Sequence, residues 1–150
     1  MISIKVLIDA DGCPVTEIAV HLCKEFGVSC ILLCDTAHEF HRDDAMTLVF
    51  DKGADSVDYA LINRVTPGDF VITQDYGLAS MCLARSCRVI HQDGWEYTCD
   101  NIDALLLVRH ESRKHRAAGN RIKGQKKRTK DQNASFECAF RRMLQTTVQG

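Results

Sequence analysis

The stretch Val6 to Glu17 reads VLIDADGCPVTE and joins a predicted buried strand to a predicted helix. The apolar run stops at Asp9, and Pro14 stands where the first residue of a helix is expected. Apolar residues then recur at spacings of three and four, as they do along one face of a helix. Two aspartates, Asp9 and Asp11, are costly at the end of a buried strand unless something binds them. A metal ion, a phosphoryl group and a plain turn are the possible explanations.

Short apolar runs elsewhere in the chain predict further strands, and segments with helical periodicity separate them. The predicted strands lie at residues 4–8, 28–34, 46–50, 70–73 and 88–91. The predicted helices lie at residues 15–26, 57–65, 78–85, 101–110 and about 131–146. Strands that alternate with helices in this way form right-handed βαβ units with helices on both faces of a sheet. We therefore expect an α/β fold, a three-layer sandwich with a mostly parallel central sheet, in a single domain over residues 1–150.

The composition is typical of a globular domain. The chain has 150 residues, of which 45% are hydrophobic, and no apolar run approaches the ~20 residues that span a bilayer. Its start, MISIKVLIDA, lacks the features of a secretory signal peptide. Eight cysteines are many, but several lie within apolar segments and no C-x-x-C pair is present. We expect free thiols in the core of a cytoplasmic protein that does not bind membranes.

Basic residues are concentrated in one segment. Ten of the nineteen Lys and Arg residues lie from Arg109 to Lys130 with a single acid, so this segment carries +9 and, from the total of −1, the remainder carries −10. Such a density of cations neutralises phosphate groups, so we expect a flexible basic segment at about residues 112–130. We expect this segment to bind nucleic acid, with RNA as the expected partner ahead of DNA. The predicted contacts are Arg113, Lys114, Arg116, Arg121, Lys123, Lys126, Lys127 and Arg128. A solvated loop, or a module that binds nucleic acid or ribosomes without catalysis, is the alternative.

Acidic residues follow the predicted strands. Ligands of an open parallel sheet collect outside the carboxyl ends of its strands, so acids at these ends form the candidate site. Clustered carboxylates repel one another, and Mg²⁺ or Mn²⁺, which prefers oxygen ligands, would relieve the repulsion and support phosphodiester hydrolysis. Alternatively, each acid is a turn or N-cap residue of its own loop. The candidate metal ligands are Asp9, Asp11, Asp58, Asp75 and Asp93.

A different chemistry begins from the same D-x-D-G sequence. In phosphatases of the haloacid-dehalogenase type the first aspartate, here Asp9, is a nucleophile. That chemistry also needs a second acidic pair after the fourth strand. Here the fourth strand is followed by Gln74 and the single acid Asp75, and Asp69 precedes the strand. The pattern therefore favours a metal ligand at Asp9 over a nucleophile.

Three stretches of the chain resemble one protein family: VLIDADGCPV, GADSVDYALINRVTPGDFVITQDYGLA and GQKKRTKDQNASFECAFRRML. In combination, above all through D-x-D-x-C-P and G-D-x-V-I-T-x-D, they resemble the YaiI/YqxD-like family of uncharacterised bacterial proteins. That family is similar in turn to PIN-type nuclease domains, in which acids at corresponding places bind divalent metal. The resemblance implies a PIN-like fold, a Mg²⁺ or Mn²⁺ cofactor, and cleavage of RNA with catalytic residues at Asp9, Asp58 and Asp75.

Overall fold

The computed structural model describes residues 4–35, 44–50, 56–117 and 127–148. The strands in these ranges are β1 (Lys5–Asp9), β2 (Ser29–Asp35), β3 (Met46–Phe50), β4 (Phe70–Ile72), β5 (Arg88–Ile90) and β6 (Glu96–Tyr97). The helices are α1 (Thr16–Phe26), α2 (Ser56–Ile62), α3 (Tyr76–Ala84), α4 (Cys99–Ala117) and α5 (Lys130–Val148). The predicted alternation of strands and helices is confirmed.

The strands form one sheet in the order β3-β2-β1-β4-β5-β6. All neighbouring pairs are parallel except β5 and β6, which run antiparallel. Strand β1 lies in the interior, where Ile8 pairs with Leu32 of β2 on one side and with Ile72 of β4 on the other. The mostly parallel sheet is confirmed, and β6 is an addition that the sequence patterns did not predict.

Helices cover both faces of the sheet and create two separate cores. Val6 and Ile8 of β1 belong to the core beneath α1 and α5, whereas Leu7 belongs to the core beneath α2, α3 and α4. This alternation follows from the twofold repeat of a strand, whose successive side chains point to opposite faces. The continuous apolar run of β1 is thus buried on both sides, and the three-layer α/β architecture is confirmed.

All eight cysteines lie within the described residues, and none of them forms a disulfide. Five of the eight are buried, including Cys23 and Cys30. Cys99 and Cys138 are exposed and lie outside the core. The buried thiols therefore act as small apolar side chains in the packing.

The basic segment is more ordered at its start than the prediction allowed. We expected the fourth helix to end near His110 and an irregular segment from residue 112, but α4 continues to Ala117. Apolar periodicity ends before this point, yet Arg, Lys and Glu are good helix formers and can continue a helix without it. Residues 118–126 of the basic segment lie outside the described ranges.

None of the helices within the described ranges combines the length and apolar character needed to cross a membrane.

Candidate active site at the carboxyl edge of the sheet

The order of the strands creates a crevice between the ends of β1 and β4. The chain leaves β1 through α1 on one face of the sheet and leaves β4 through α3 on the opposite face. At such a point the two connections diverge, and ligands of open α/β sheets bind in the gap. Asp9 ends β1, and Thr73, Gln74 and Asp75 form the turn between β4 and α3. These residues therefore face the crevice from its two sides.

The carboxyl group of Asp9 has a raised pKa. Burial, which contributes most, and the neighbouring charges of Asp58, Asp75 and Asp11 together raise the pKa of Asp9 from 3.8 to about 7. A hydrogen bond from Thr73 lowers the pKa and partly opposes these effects. The charges of Asp58, Asp75 and Asp11 therefore act on the carboxyl group of Asp9 at this edge of the sheet.

Thr73 holds Asp9 in place. Its hydroxyl donates a hydrogen bond of 2.9 Å to Oδ2 of Asp9 and accepts one of 3.0 Å from the backbone N–H of Asp75. Its carbonyl oxygen accepts a hydrogen bond of 3.2 Å from the hydroxyl of Tyr97 on β6. Our sequence interpretation did not select Thr73, although a polar residue directly after the fully apolar strand FVI was a usable signal.

Asp75 is the N-cap of α3. Its Oδ1 accepts hydrogen bonds from the backbone N–H groups of Gly77, at 2.9 Å, and Leu78, at 3.2 Å. The turn-and-cap interpretation of this aspartate therefore has a geometric basis. Capping by one oxygen also fixes the orientation of the carboxylate at the mouth of the crevice.

Asp11 and Asp58 approach Asp9 from two other connections. The carboxylate of Asp11 accepts a hydrogen bond from the backbone N–H of Asp35, with oxygen distances of 3.1 and 3.3 Å, which ties the β1–α1 loop to the end of β2. Asp58 lies in the first turn of α2. Cys13 also lies near Asp9, and burial raises the pKa of its thiol, which keeps it protonated at neutral pH.

Asp93 has a different environment from the other predicted ligands. Its Oδ1 lies 2.5 Å from Nη1 of Arg128, whose Nη2 donates to the carbonyl of Gln92 and whose Nε donates to Asn133, both at 2.6 Å. The arginine therefore fastens the start of α5 to the loop after β5. We predicted Arg128 as a phosphate contact, but its guanidinium is occupied by these protein groups.

The remaining predicted cations differ in how the structure describes them. The last turns of α4 contain Arg113, Lys114 and Arg116. Outside the described ranges lie Arg121, Lys123 and Lys126, and Lys127 is exposed just before α5.

The metal prediction meets one geometric obstacle. Within residues 4–35, 44–50, 56–117 and 127–148, no three His, Cys, Asp or Glu side chains form a group that could hold a metal ion as they stand. The donor chemistry at the crevice is nevertheless suitable for Mg²⁺ or Mn²⁺, since it consists of carboxylates. Binding would therefore require the side chains of the acidic edge to move closer together.

Comparison with protein families agrees with the sequence motifs. Residues 7–146 match the family described as "Uncharacterized BCR, YaiI/YqxD family". The chain belongs to the YaiI/YqxD family. Relatives include the UPF0178 proteins of Exiguobacterium sibiricum, 50% identical over 93% of this chain and 96% of the relative, and Clostridium acetobutylicum, 44% identical over the same shares. The UPF0178 protein of Bacillus anthracis is 35% identical over 93% of this chain and 98% of its own length.

This YaiI/YqxD-family chain has one further buried acid, at the opposite edge of the sheet. Asp69 precedes β4, is 1% exposed, and forms an ion pair of 2.6 Å with Lys5. It also accepts a hydrogen bond of 2.8 Å from the backbone N–H of Thr66. Asp69 therefore stabilises the amino end of the strands and is not the second acid that the phosphatase chemistry would need beside Asp9.

Proposed function

We propose that this protein is a divalent-metal-dependent nuclease that hydrolyses phosphodiester bonds, with RNA as its substrate. The observation that supports the proposal is the environment of Asp9, which lies at the crevice between β1 and β4. Burial and three neighbouring acids raise the pKa of Asp9 to about 7. Perturbed acids in the crevice of an α/β sheet are typical of functional sites, because a bound cation or a reacting proton offsets their cost.

The proposed metal ligands are Asp9, Asp11, Asp58 and Asp75, with Mg²⁺ or Mn²⁺ as the ion. We leave Asp93 out of this set because its carboxylate is paired with Arg128 at 2.5 Å. A bound divalent ion lowers the pKa of a coordinated water and stabilises negative charge on a phosphate. The resemblance to PIN-type nucleases supports the same set at Asp9, Asp58 and Asp75, and rests on fold-level analogy.

The protein residues would prepare this edge in distinct ways. The hydroxyl of Thr73 orients Oδ2 of Asp9, and the backbone of α3 orients Oδ1 of Asp75. The exposed Lys127 would attract the phosphate backbone and concentrate substrate near the crevice. Contacts of this kind fix a strand on the protein without reading its sequence.

The proposal is tested with single- and double-stranded RNA and DNA in Mn²⁺, in Mg²⁺ and in EDTA. We expect cleavage of RNA, and we expect EDTA to abolish it. Asp9→Asn and Asp75→Asn should each reduce the cleavage rate by more than the ~10–100-fold typical of residues that support metal ligands without binding the metal. Asp103→Asn is the matched control, because Asp103 is an exposed acid on α4. Absence of cleavage, or equal cleavage by the wild type and both variants, would show that the proposal is wrong.

A second candidate is a nucleic-acid-binding or ribosome-binding module without catalysis. The observations that favour it are the hydrogen bonds that Asp11 and Asp75 accept from backbone N–H groups, which give both acids a role in the folded structure that needs no metal. This candidate predicts salt-dependent RNA binding that survives Asp9→Asn and weakens with Lys127→Gln. Metal-dependent cleavage that is lost with Asp9→Asn would exclude it.

A further inference from the structure

A cleft of about 460 Å³ opens directly beside the acidic edge. Its lining includes Gln74 and Tyr76, which flank Asp75 in the sequence, and His91 and Gln92, which follow β5. Lys127, before α5, also lines the cleft. The volume is within the ~300–1,000 Å³ typical of ligand pockets. A ligand in this cleft would therefore lie next to the proposed catalytic carboxylates.

A cluster of aromatic rings adjoins the cleft. His91 stacks on Trp95 with ring centroids 4.4 Å apart and planes inclined by 12°. Tyr97 contacts Trp95 edge to face at 4.6 Å and Tyr76 at 5.9 Å. Each ring is therefore held by its neighbours, and two residues of the cluster, His91 and Tyr76, line the cleft. Aromatic surfaces of this kind stack with nucleic-acid bases, irrespective of sequence.

The polar groups of the cleft complement a nucleotide. Gln74 and Gln92 carry amides that both donate and accept hydrogen bonds, as the edges of bases do. Asp93 and Arg128 also line the cleft but neutralise each other through their ion pair. Because Arg128 is paired with Asp93, Lys127 is the cation of the lining that we expect to bind a phosphate.

The loops around the cleft are held close to the acidic edge. The side chain of Gln74 lies over Gly12, where an added Cβ would be 3.5 Å from its Nε2. Gly94 follows the cleft residues with φ of 95° and approaches α5 so closely that an added Cβ would lie 2.6 Å from the carbonyl oxygen of Ser135. The approach of Gln74 to Gly12 therefore places the cleft beside the loop that follows Asp9.

We propose that this cleft is a nucleotide subsite, which holds one base of a single strand against the rings of Tyr76 and His91 and an adjacent phosphate on Lys127. The inference rests on the proposed function, because it gives the substrate strand its position beside Asp75. A paired base cannot enter a cleft, whereas an unpaired base can turn out of its strand and stack on aromatic side chains. The substrate class is therefore single-stranded nucleic acid.

Trp95 provides the readout, since it is the single tryptophan of the chain and stacks on His91. The protein is titrated in EDTA with AMP, UMP and ribose 5-phosphate while tryptophan fluorescence is recorded. We expect AMP and UMP to change the fluorescence saturably, and ribose 5-phosphate to bind at least about tenfold more weakly because it lacks a base. Equal binding of all three, or no saturable change, would overturn the proposal.

Matched variants locate the binding. Tyr76→Ala is expected to weaken AMP binding about tenfold and Tyr76→Phe to preserve it, because the ring carries the stacking. Tyr59→Ala is the control, since Tyr59 is 66% exposed on α2 and does not line the cleft. Lys127→Gln, which changes an exposed side chain and leaves packing intact, is expected to weaken AMP binding several-fold, whereas Lys130→Gln is not. Unchanged binding in both Tyr76→Ala and Lys127→Gln would contradict the proposal.

The Asp9→Asn variant separates this proposal from the nuclease proposal. Nucleotide binding by a wild-type protein that cleaves no RNA, with the same affinity in Asp9→Asn, would support the cleft and contradict the nuclease. Mn²⁺-dependent cleavage without nucleotide binding, and with full activity in Tyr76→Ala, would support the nuclease and contradict the cleft. Binding of a blunt RNA duplex as tightly as a single strand would also contradict the cleft.

Discussion

The hydroxyl of Thr73 donates a hydrogen bond of 2.9 Å to Oδ2 of Asp9 and so joins the ends of the two strands that flank the crevice. This contact spans 64 residues of sequence. Thr73 is 2% exposed, so its hydroxyl meets the buried carboxyl where little water competes for the bond. The pair gives the candidate site a fixed centre, around which Asp58, Asp75 and Asp11 add negative charge.

Folding stability should depend on pH through Asp9. Its pKa is raised from 3.8 in the unfolded chain to about 7 in the folded chain, so the folded state prefers the protonated form. The associated stability is fully present below about pH 4 and is lost as pH rises through about 7. Relative to Asp9→Asn, the wild type should lose about 2 to 3 kcal/mol of unfolding free energy between pH 5 and pH 8.

Urea unfolding of both proteins in EDTA at the two pH values measures this difference. The unfolding free energy of Asp103→Asn should differ from that of the wild type by the same amount at pH 5 and pH 8, since Asp103 is exposed on α4. A difference between wild type and Asp9→Asn that does not change with pH would refute the raised pKa.

Removal of the Thr73 hydroxyl should raise the pKa of Asp9 above about 7, because the hydrogen bond from Thr73 lowers it. Thr73→Val also leaves the backbone N–H of Asp75 without its acceptor, which should cost about 1 to 3 kcal/mol of stability. Carbon-13 NMR titration of the Asp9 carboxyl reports the pKa, and urea unfolding reports the stability. Thr73→Ser keeps the hydroxyl and should leave both near wild type, whereas equal effects of Ser and Val would argue against the bond.

Two substitutions of Asp75 should distinguish helix capping from metal binding. Asn caps a helix about as well as Asp, so Asp75→Asn should change stability by less than about 0.5 kcal/mol, whereas Asp75→Ala should cost about 1 kcal/mol. If Asp75 also binds the ion, Asp75→Asn should reduce the rise in melting temperature that Mn²⁺ gives the wild type. An unreduced rise would argue against metal binding by Asp75 and leave the capping of α3, through Gly77 and Leu78, as its supported role.

Arg128 should behave as a structural residue. Arg128→Met removes its bonds to Asp93, the Gln92 carbonyl and Asn133, so unfolding should become easier by about 1 to 3 kcal/mol. The salt dependence of RNA binding should stay near wild type, whereas Lys127→Gln should lower the slope by about one phosphate contact. Wild-type stability combined with a reduced slope in Arg128→Met would instead indicate a direct phosphate contact.

Local patterns predicted much of this protein. A strand covered on both faces is apolar at every position, so the run before Asp9 was recognisable as an interior parallel strand. Since the carboxyl ends of parallel strands share one edge, the sequence patterns also predicted that Asp9 and Asp75 lie at the same edge of the sheet, where the structure has them. The short β6 carries no such signal because only Glu96 and Tyr97 form it.

The partners of individual side chains were decided only by the tertiary structure. Asp93 and Arg128 are 35 residues apart, and both looked like functional residues until the fold paired them. Asp75 and Asp93 both follow interior strands, yet one caps a helix at the crevice and the other binds an arginine. The physical reason is that hydropathy patterns record which face of an element is buried, whereas an ion pair depends on which distant elements pack beside it. The sequence by itself determined the sheet and its acidic edge, whereas the packing of α5 against the loop after β5 decided that Asp93 pairs with Arg128.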